Sequence, residues 1–335
     1  MNVLLNTNHF GLLGQFSMTR GKVRDIYDLL DDRLLIVTTD RISAFDHVLP
    51  DGIPFKGRVL NEMSLHWLEY LQPVLEELST ETIRFEHHLL SADVHDLPAQ
   101  YQPYADELAG RFMIVNKTDV ISFEGIVRGY ISGSLWLALL KARKEQAVGS
   151  YVEVNGVRLT RMLHESEKFS QPKFTPSDKA EFGKHDENIS RAQLVTIIGE
   201  WLTAKGITEI SAKVLVDNLE RVSVALYSRA AAYAESRGVI IADTKFEFGL
   251  KIVNGVVVIV LIDEVLSPDS SRFWPKDKYA VGRSQESFDK QFVRDYLTSC
   301  GWDKNSPPPS LPQEIVDGTS KKYRQILELL FDVTL

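Results

Sequence analysis

Three charged residues alternate in the last third of the chain: Asp243, Lys245 and Glu247. Alternate residues of a β-strand lie on the same face of a sheet. An apolar run follows and ends at the acidic pair Asp263-Glu264, so two adjacent strands would bring several carboxylates and a lysine together. Clustered like charges contribute little to packing, whereas a Mg²⁺ ion bound to a polyphosphate requires them. The pattern favours a magnesium site at Glu247 and Asp263 over exposed carboxylates paired with counter-charges.

A second group of candidate residues, Gly21, Lys22, Val23 and Arg24, lies at the start of the first predicted hairpin. Glycine permits close approach of the backbone to a ligand, and the lysine and arginine supply positive charge. A surface turn with the same residues is the alternative. The sequence has neither a glycine-rich phosphate loop ending in Lys-Ser/Thr nor a Gly-x-Gly-x-x-Gly element. A nucleotide would therefore be held in another way, for instance beneath a hairpin that covers its phosphates.

A third candidate segment contains Arg128 and Ser134, with two glycines between them, just before a predicted helix. The free N–H groups of a helix N-terminus beside an arginine form a favourable site for a phosphate group. The alternative is an ordinary capping sequence in which Ser134 is the N-cap. Both interpretations remain open on the sequence alone.

Polar residues also follow the second predicted strand, where Asp40 and Ser43 are the candidates for ligand binding. Acids and hydroxyls in a loop after a strand suit a ligand site. Equally, the two side chains could satisfy backbone donors within a capped turn. The sequence does not decide between these interpretations.

A long polar stretch before a predicted helix contains Asp178, Lys179, His185, Asp186 and Asn188. These side chains could form a pocket for an amino acid. The alternative is a solvated loop that ends in an N-cap. Zinc at His185 is not favoured, because no second histidine or cysteine lies at ligand spacing.

The periodicity of apolar residues predicts the elements that must position these groups. We expect a strand-rich N-terminal region, in which Pro73 kinks or ends the first long helix. The predicted strands are 23–28, 33–39, 83–85, 112–116, 239–242, 246–252 and 256–262, the last two joined by an Asn254-Gly255 turn. The predicted helices are 61–78, 135–143, 187–205, 211–237, 284–300 and 319–331, with an extended proline-rich linker at 305–312. The predicted division is into segments 1–116, 117–283 and 284–335.

The composition is that of an ordinary soluble globular protein, with 335 residues, 44% hydrophobic and 25% charged, and a net charge of -8. The negative charge argues against non-specific binding of nucleic acid. A single cysteine, Cys300, excludes an internal disulfide framework. No signal peptide is evident, and the longest apolar run is too short for a membrane helix. A cytoplasmic protein without a membrane partner is the simplest expectation.

Taken in order, the segments 21–27, 40–46, 128–134, 243–250 and 263–274 resemble the motifs of the SAICAR synthetase family of purine biosynthesis. The two C-terminal helices are similar to the longer, yeast-like form of that family. The resemblance implies an α+β fold, with a nucleotide cleft between an N-terminal antiparallel sheet domain and a larger central domain. It also implies an ATP-dependent ligase that joins L-aspartate to the ribonucleotide CAIR, with Mg²⁺ as cofactor. The expected assembly is a monomer or a homodimer, and the sequence does not decide between them.

The resemblance further implies a role for each matching residue. Glu247 and Asp263 would bind Mg²⁺, while Lys22, with its neighbours Gly21, Val23 and Arg24, would contact the ATP phosphates. Lys245 would lie beside the phosphoryl group in transfer and, with Lys22, would be catalytic. The expected substrate contacts are Arg128, Ser134 and Arg272 for CAIR, and Asp40, Ser43, Asp178 and Lys179 on the substrate side.

Two other classes of function are compatible with parts of the sequence. A kinase is suggested by the hairpin lysine and by Glu247-Phe248-Gly249, which is similar to the Asp-Phe-Gly of kinases, but the His-Arg-Asp catalytic loop is missing. A regulator that binds nucleotide without catalysis is the other alternative. A regulator would have no need of carboxylates that bind a metal at the γ-phosphate, so the ligase is the favoured hypothesis.

Overall fold

The structure is a computed structural model that describes residues 3–10, 17–146, 149–179, 187–288 and 290–335. Within these ranges the α-helices are α1 (Lys56–Leu78), α2 (Ala105–Leu108), α3 (Gly133–Glu145), α4 (Arg191–Lys205), α5 (Ala212–Ser236), α6 (Gln291–Ser299) and α7 (Gln313–Phe331). The first strands are β1 (Met18–Arg20), β2 (Arg24–Asp28), β3 (Arg33–Thr38), β4 (Arg41–Ala44), β5 (His47–Gly52), β6 (Ile83–His87), β7 (Leu89–Ser91) and β8 (Phe112–Asn116). The remaining strands are β9 (Asp119–Val120), β10 (Phe123–Tyr130), β11 (Tyr151–Val154), β12 (Val157–Thr160), β13 (Lys168–Phe174), β14 (Ser177–Asp178), β15 (Val239–Val253), β16 (Val256–Ile262) and β17 (Ser271–Pro275).

The N-terminal sheet has the antiparallel order β1-β2-β3-β8-β7. Its strands alternate between two apolar clusters, because successive side chains of a strand point to opposite faces. In β3, for example, Leu35 and Val37 belong to one cluster and Ile36 to the other. The residues between β1 and β2 form the loop 21–23, so the predicted glycine, lysine and valine lie at one end of this sheet.

The second sheet has the path β13-β10-β15-β16-β6, and β9, β14 and β17 pair with its inner strands. The long strand β15 connects the parts of this sheet, because it pairs with β10, β17, β16 and β9 along its length. The predicted turn between β15 and β16 is confirmed at Asn254 and Gly255, which have positive φ angles of 52° and 79°. Both central residues of a type I′ turn require such angles.

Helices cover one face of this sheet. Trp67 of α1 and Leu219 of α5 are fully buried in the largest apolar cluster, which also contains Tyr323 and Leu330 of α7. Helix α4 ends at Gly206, which has a φ of 68°, as predicted from the sequence. This cluster includes residues from all three predicted segments, and the boundaries of those segments remain a prediction.

Several predicted boundaries are wrong for identifiable reasons. Helix α1 begins at Lys56 and continues through Pro73, because its buried face extends on both sides through Leu71 and Leu75. The two predicted strands 239–242 and 246–252 form the single strand β15, since the intervening residues pair with β10 and β17.

The helix starts also differ from the predicted ones. Helix α4 begins only after Ser190, whose hydroxyl accepts the N–H of Gln193 in a capping box. Helix α6 is shorter than predicted, because the preceding residues Ser287 and Phe288 donate hydrogen bonds to the carbonyl of Phe273. Helix α7 is longer and begins directly after Pro312.

No helix among the described residues is long and apolar enough to span a membrane.

A pair of glycine substitutions tests the close packing of α5 on this sheet. A Cβ atom at Gly129 would lie 2.0 Å from the hydroxyl of Tyr227, which donates to the carbonyl of Ile241 at 2.6 Å. We expect Gly129→Ala to lower the free energy of unfolding by about 1–3 kcal/mol through overpacking. In Gly199→Ala, the new Cβ would make an ordinary 3.6 Å contact with Ala212, so helix propensity should raise stability by up to roughly 1 kcal/mol. Urea unfolding measures both, and equal effects would contradict the interpretation.

Candidate active site

A cleft of about 990 Å³ opens between the N-terminal sheet and the second sheet. The loop 21–23 and Arg24 at the start of β2 form one wall, and the middle of β15 with the residues just after β16 forms another. The starts of α3 and α6 complete it. Most of the predicted site residues line this cleft, namely Gly21, Lys22, Val23, Arg24, Ser43, Ser134, Lys179, Lys245, Glu247, Asp263 and Arg272.

The first charged group in the cleft is the acid–lysine row, formed by Glu124, Lys245 and Glu247. Lys245 Nζ donates to Glu124 Oε1 at 2.7 Å and to Glu247 Oε1 at 2.9 Å. The prediction that Lys245 and Glu247 share one face of a strand is thereby confirmed. Burial disfavours the charge of Glu247, but Lys245 and Lys179 outweigh it and lower its pKa to about 2. Burial likewise opposes the charge of Lys245, and Glu247 and Glu124 raise its pKa well above the usual value.

The acidic pair after β16 lies beside this row. Arg24 lies in the hairpin of β1 and β2, the covering hairpin, and forms ion pairs with both Asp263 and Glu264. Burial raises the pKa of Asp263, and the charges of Glu247 and Glu264 add to this effect against the opposing charge of Arg24. A cation that approaches a carboxylate in this environment stabilises its ionised form.

The second charged group is the arginine–aspartate row, formed by Arg128, Asp243 and Arg272 on three adjacent strands. The sheet register places Asp243 of β15 opposite Arg128 of β10 on one side and opposite Arg272 of β17 on the other. Asp243 Oδ2 accepts from Arg128 Nη1 at 3.2 Å and from Arg272 Nη1 at 2.5 Å. Burial opposes the charge of Asp243, but the two arginines lower its pKa below the usual value.

The N-terminus of α3 lies against this row. The prediction that Ser134 is the N-cap is wrong, because the N-cap is Ser132, which makes no capping hydrogen bond. Its hydroxyl instead donates to Asp243 Oδ2 at 3.1 Å, and the Ser134 hydroxyl accepts from Arg128 Nη2 at 3.3 Å. The first N–H groups of α3 therefore lack a side-chain cap, at a place where two arginines supply positive charge.

Two predicted lysines of the cleft are paired with acids, and other predicted residues lie outside the cleft. Lys22 Nζ pairs with Asp46 at 2.5 Å, and Lys179 pairs with Glu247. Asp40 is fully buried, and its carboxylate accepts from the N–H groups of Leu4 and Gly57 and from a buried arginine, so the predicted substrate contact is not supported.

Asp178 is half-buried in β14, beside Lys179, and it is not one of the described residues that line the cleft. Asn188 bridges to Ser177. His185 and Asp186 lie outside the described residues.

The cleft also contains residues that the sequence reasoning missed. Glu124 lies four residues before Arg128 on the same strand, and the period of two could have placed both on one face. Asp269 accepts from Lys56 Nζ at 2.8 Å and from the Tyr323 hydroxyl at 2.6 Å, which ties α1 and α7 to the cleft wall. The start of α6 adds two cations to the cleft, Lys290 and Arg294, whose i,i+4 spacing was the available signal.

The carboxylates fit a magnesium ion that is bound mainly by its nucleotide. Mg²⁺ usually takes one or two protein carboxylates, with phosphate oxygens and water as its other ligands. Glu247 and Asp263 line one cleft and offer such oxygens. In the described part of the chain, no set of three or more His, Cys, Asp or Glu side chains is arranged to hold a metal by itself.

These features together define an enzyme class. A hairpin with cations, paired carboxylates and an uncapped helix N-terminus beside arginines suit an enzyme that uses a nucleoside polyphosphate and a second phosphorylated substrate.

Comparison with known proteins narrows this class to a family. The sequence model for SAICAR synthetase matches residues 17–309. The chain is 46% identical over 322 residues to a phosphoribosylaminoimidazole-succinocarboxamide synthase of Desulfosudis oleivorans, covering 96% of this chain and 97% of that protein. The chain belongs to the SAICAR synthetase family.

Solved structures agree with this assignment. The SAICAR synthase from Saccharomyces cerevisiae complexed with SAICAR is similar with a TM-score of 0.78 and 36% identity, covering 100% of this chain and 99% of that chain. A SAICAR synthetase (Type-2) in complex with ADP shares the fold, with a TM-score of 0.60 and 20% identity over 95% of this chain and 99% of that chain. The predicted α+β fold of this family is confirmed.

The arginine–aspartate row gives a test that depends on pH. Asp243→Asn would leave the guanidinium groups of Arg128 and Arg272 without their carboxylate, and we expect a loss of about 3 kcal/mol in unfolding free energy at neutral pH. The folded-state pKa of Asp243 is below its ordinary value of 3.8, so its contribution is present above that value and is lost as pH falls through the folded-state pKa. The difference between wild type and variant should therefore narrow in acid.

Urea unfolding across the acid range measures this difference. The exposed Asp106 provides the control, because Asp106→Asn should change stability little at any pH. A gap between Asp243→Asn and wild type that widens in acid would contradict the assigned pairing.

Proposed function

We propose that this protein joins L-aspartate to the carboxylate of carboxyaminoimidazole ribonucleotide (CAIR) at the expense of ATP, giving SAICAR, ADP and phosphate in purine biosynthesis. Membership of the SAICAR synthetase family supports this ATP-dependent ligase reaction. The single structural observation that carries the proposal is that the acid–lysine row and Arg272, the exposed end of the arginine–aspartate row, line one cleft. One row suits a polyphosphate with its metal, and the other suits a ribonucleotide phosphate.

ATP would bind with its phosphates between the covering hairpin and the acid–lysine row. Lys22, on the loop of that hairpin, would contact the phosphates, together with the backbone of its neighbours. Glu247 and Asp263 would hold Mg²⁺, which when bound neutralises charge on the phosphoryl group in transfer. Lys245 lies between two carboxylates, which would hold its ammonium group close to the phosphoryl group in transfer.

CAIR would bind with its phosphate at the start of α3. This place combines the uncapped N–H groups of the helix with the Ser134 hydroxyl and Arg272. Arg128 donates a hydrogen bond to the Ser134 hydroxyl. Such a site combines the helix dipole with charge-assisted hydrogen bonds. Ser43 and Lys179 remain our proposed contacts on the substrate side, because both line the cleft.

The chemistry needs activation of a carboxylate, since a carboxylate is a poor electrophile. A CAIR carboxylate oxygen would attack the γ-phosphorus of ATP, releasing ADP and forming an acyl phosphate. The aspartate amine would then attack the acyl carbon, the C–O bond to phosphate would break, and the amine would lose a proton as the amide forms. Lys245 and Lys22 would offset negative charge on the phosphoryl group, and the cleft would hold the reactants in line.

Dependence on both co-substrates tests the proposed reaction. Purified protein with Mg-ATP should release ADP at a substantial rate only when CAIR and L-aspartate are both present. The reason is that the acyl phosphate is consumed only when the aspartate amine attacks it. A coupled ADP assay with each substrate omitted in turn measures this. Rapid ADP release with neither substrate, or a stable phosphorylated product without an amine, would instead favour a kinase-like phosphotransferase.

Glu247→Gln tests the proposed metal contact. The amide keeps the size of the side chain but loses the charge that attracts Mg²⁺, so we expect turnover to fall by a factor of about 100 or more. Circular dichroism should show an unchanged fold. Glu200→Gln, at an exposed position of α4, is the matched control and should retain wild-type activity. Wild-type kcat in Glu247→Gln would remove this residue from the metal site.

A further inference from the structure

Arg41 lies beneath the covering hairpin, although no substrate role was predicted for it. Its side chain is buried, with a residue exposure of 6%. The guanidinium donates to the carbonyl of Gly21 at 3.0 Å through Nη2 and to the carbonyl of Lys22 at 3.2 Å through Nε. Nη1 donates to the carbonyl of Leu5 at 2.7 Å. One side chain therefore binds two consecutive carbonyls of the loop that is proposed to cover the phosphates.

A fully buried carboxylate fixes the position of this guanidinium. Asp25 Oδ1 accepts from Arg41 Nη2 at 2.9 Å, and Asp25 Oδ2 accepts from the Thr7 hydroxyl at 2.7 Å and the Thr7 N–H at 3.1 Å. Asp25 itself belongs to β2, the strand that directly follows the loop 21–23. A planar guanidinium with donors in a fixed fork is suited to such simultaneous contacts, and a lysine is not.

The contacts of Arg41 determine where the loop N–H groups point. A peptide unit is planar and trans, so its C=O and the following N–H point in opposite directions. With the carbonyls of Gly21 and Lys22 directed at Arg41, the N–H groups of Lys22 and Val23 face the other way. Both residues line the cleft, and neither N–H has a hydrogen-bond partner among the residues that the structure describes. Successive N–H groups of this kind form an anion-binding concavity.

We propose that Arg41 is a positioning residue for nucleotide binding, which orients the backbone N–H groups of Lys22 and Val23 towards the phosphates of ATP. Arg41 itself does not touch the nucleotide and acts only through the loop. The inference rests on the proposed function, in which ATP binds beneath this hairpin. It assigns to Arg41 a role in shaping the ATP site, next to Asp40, whose predicted substrate contact is not supported.

The test compares Arg41→Lys with Arg20→Gln. Arg41→Lys keeps the positive charge beside Asp25 but cannot span the loop carbonyls, so KM for ATP should rise about tenfold, as for the loss of one or two charge-assisted hydrogen bonds. KM for CAIR and for aspartate should stay within about twofold. Arg20 also donates to Asp25 Oδ1, at 3.2 Å, but from the partly exposed side, so Arg20→Gln should retain the wild-type KM for ATP.

Amide hydrogen exchange gives a second measurement, and its first part needs only the wild-type protein. Saturating Mg-ADP should slow exchange at Lys22 and Val23, and in Arg41→Lys this protection should be weaker. Absence of protection at these two amides in the wild type would overturn the proposal, as would an unchanged KM for ATP in a folded Arg41→Lys. If the wild type itself does not consume ATP with CAIR and aspartate, the proposed function fails instead, so the two failures are distinguishable.

Discussion

The active-site cleft depends on the charges that strand β15 carries at alternate positions. Asp243, Lys245 and Glu247 project from one strand into a region with little solvent, where an isolated charge would be strongly unfavourable. Each therefore requires a partner of opposite sign at hydrogen-bonding distance. The neighbouring strands supply arginines in register with the aspartate, and Glu124 of β10 accepts a hydrogen bond from the lysine. The sheet pairing thus organises two differently charged sites along a single strand.

Groups from distant parts of the chain fix the walls around this strand. Asp269 accepts hydrogen bonds from Lys56 of the first helix and Tyr323 of the last, so a single carboxylate connects both ends of the chain to the cleft. Burial opposes the charge of Asp269, but Lys290 and Lys56 lower its pKa, so it stays ionised. On the opposite wall, Arg41 performs a similar task for the covering hairpin. The C-terminal helices are consequently part of the site's support.

Much of this arrangement was predictable from local patterns. Alternation along β15 predicted a shared face for Lys245 and Glu247, and Asn254-Gly255 predicted the turn that brings β16 back beside them. The pattern failed where packing outweighed local preference, as at Pro73, which lies inside a helix with a continuous buried face. It also failed at the start of α3, where Ser134 was a candidate N-cap. There the N-cap is Ser132, and both serine hydroxyls bind side chains of the arginine–aspartate row instead of capping the helix.

The sequence by itself determined the residue types, their period along each strand and the ordered motifs that resemble one family. These signals are local, because they depend on the spacing of side chains within one element. Only the tertiary structure decided which partner each charge has. It placed Asp40 in a buried network, it brought Glu124 and Asp269 to the cleft, and it put Arg41 beneath the covering hairpin. The reason is that ion pairing and burial join residues far apart in the chain, and spacing along the sequence carries no information about such distances.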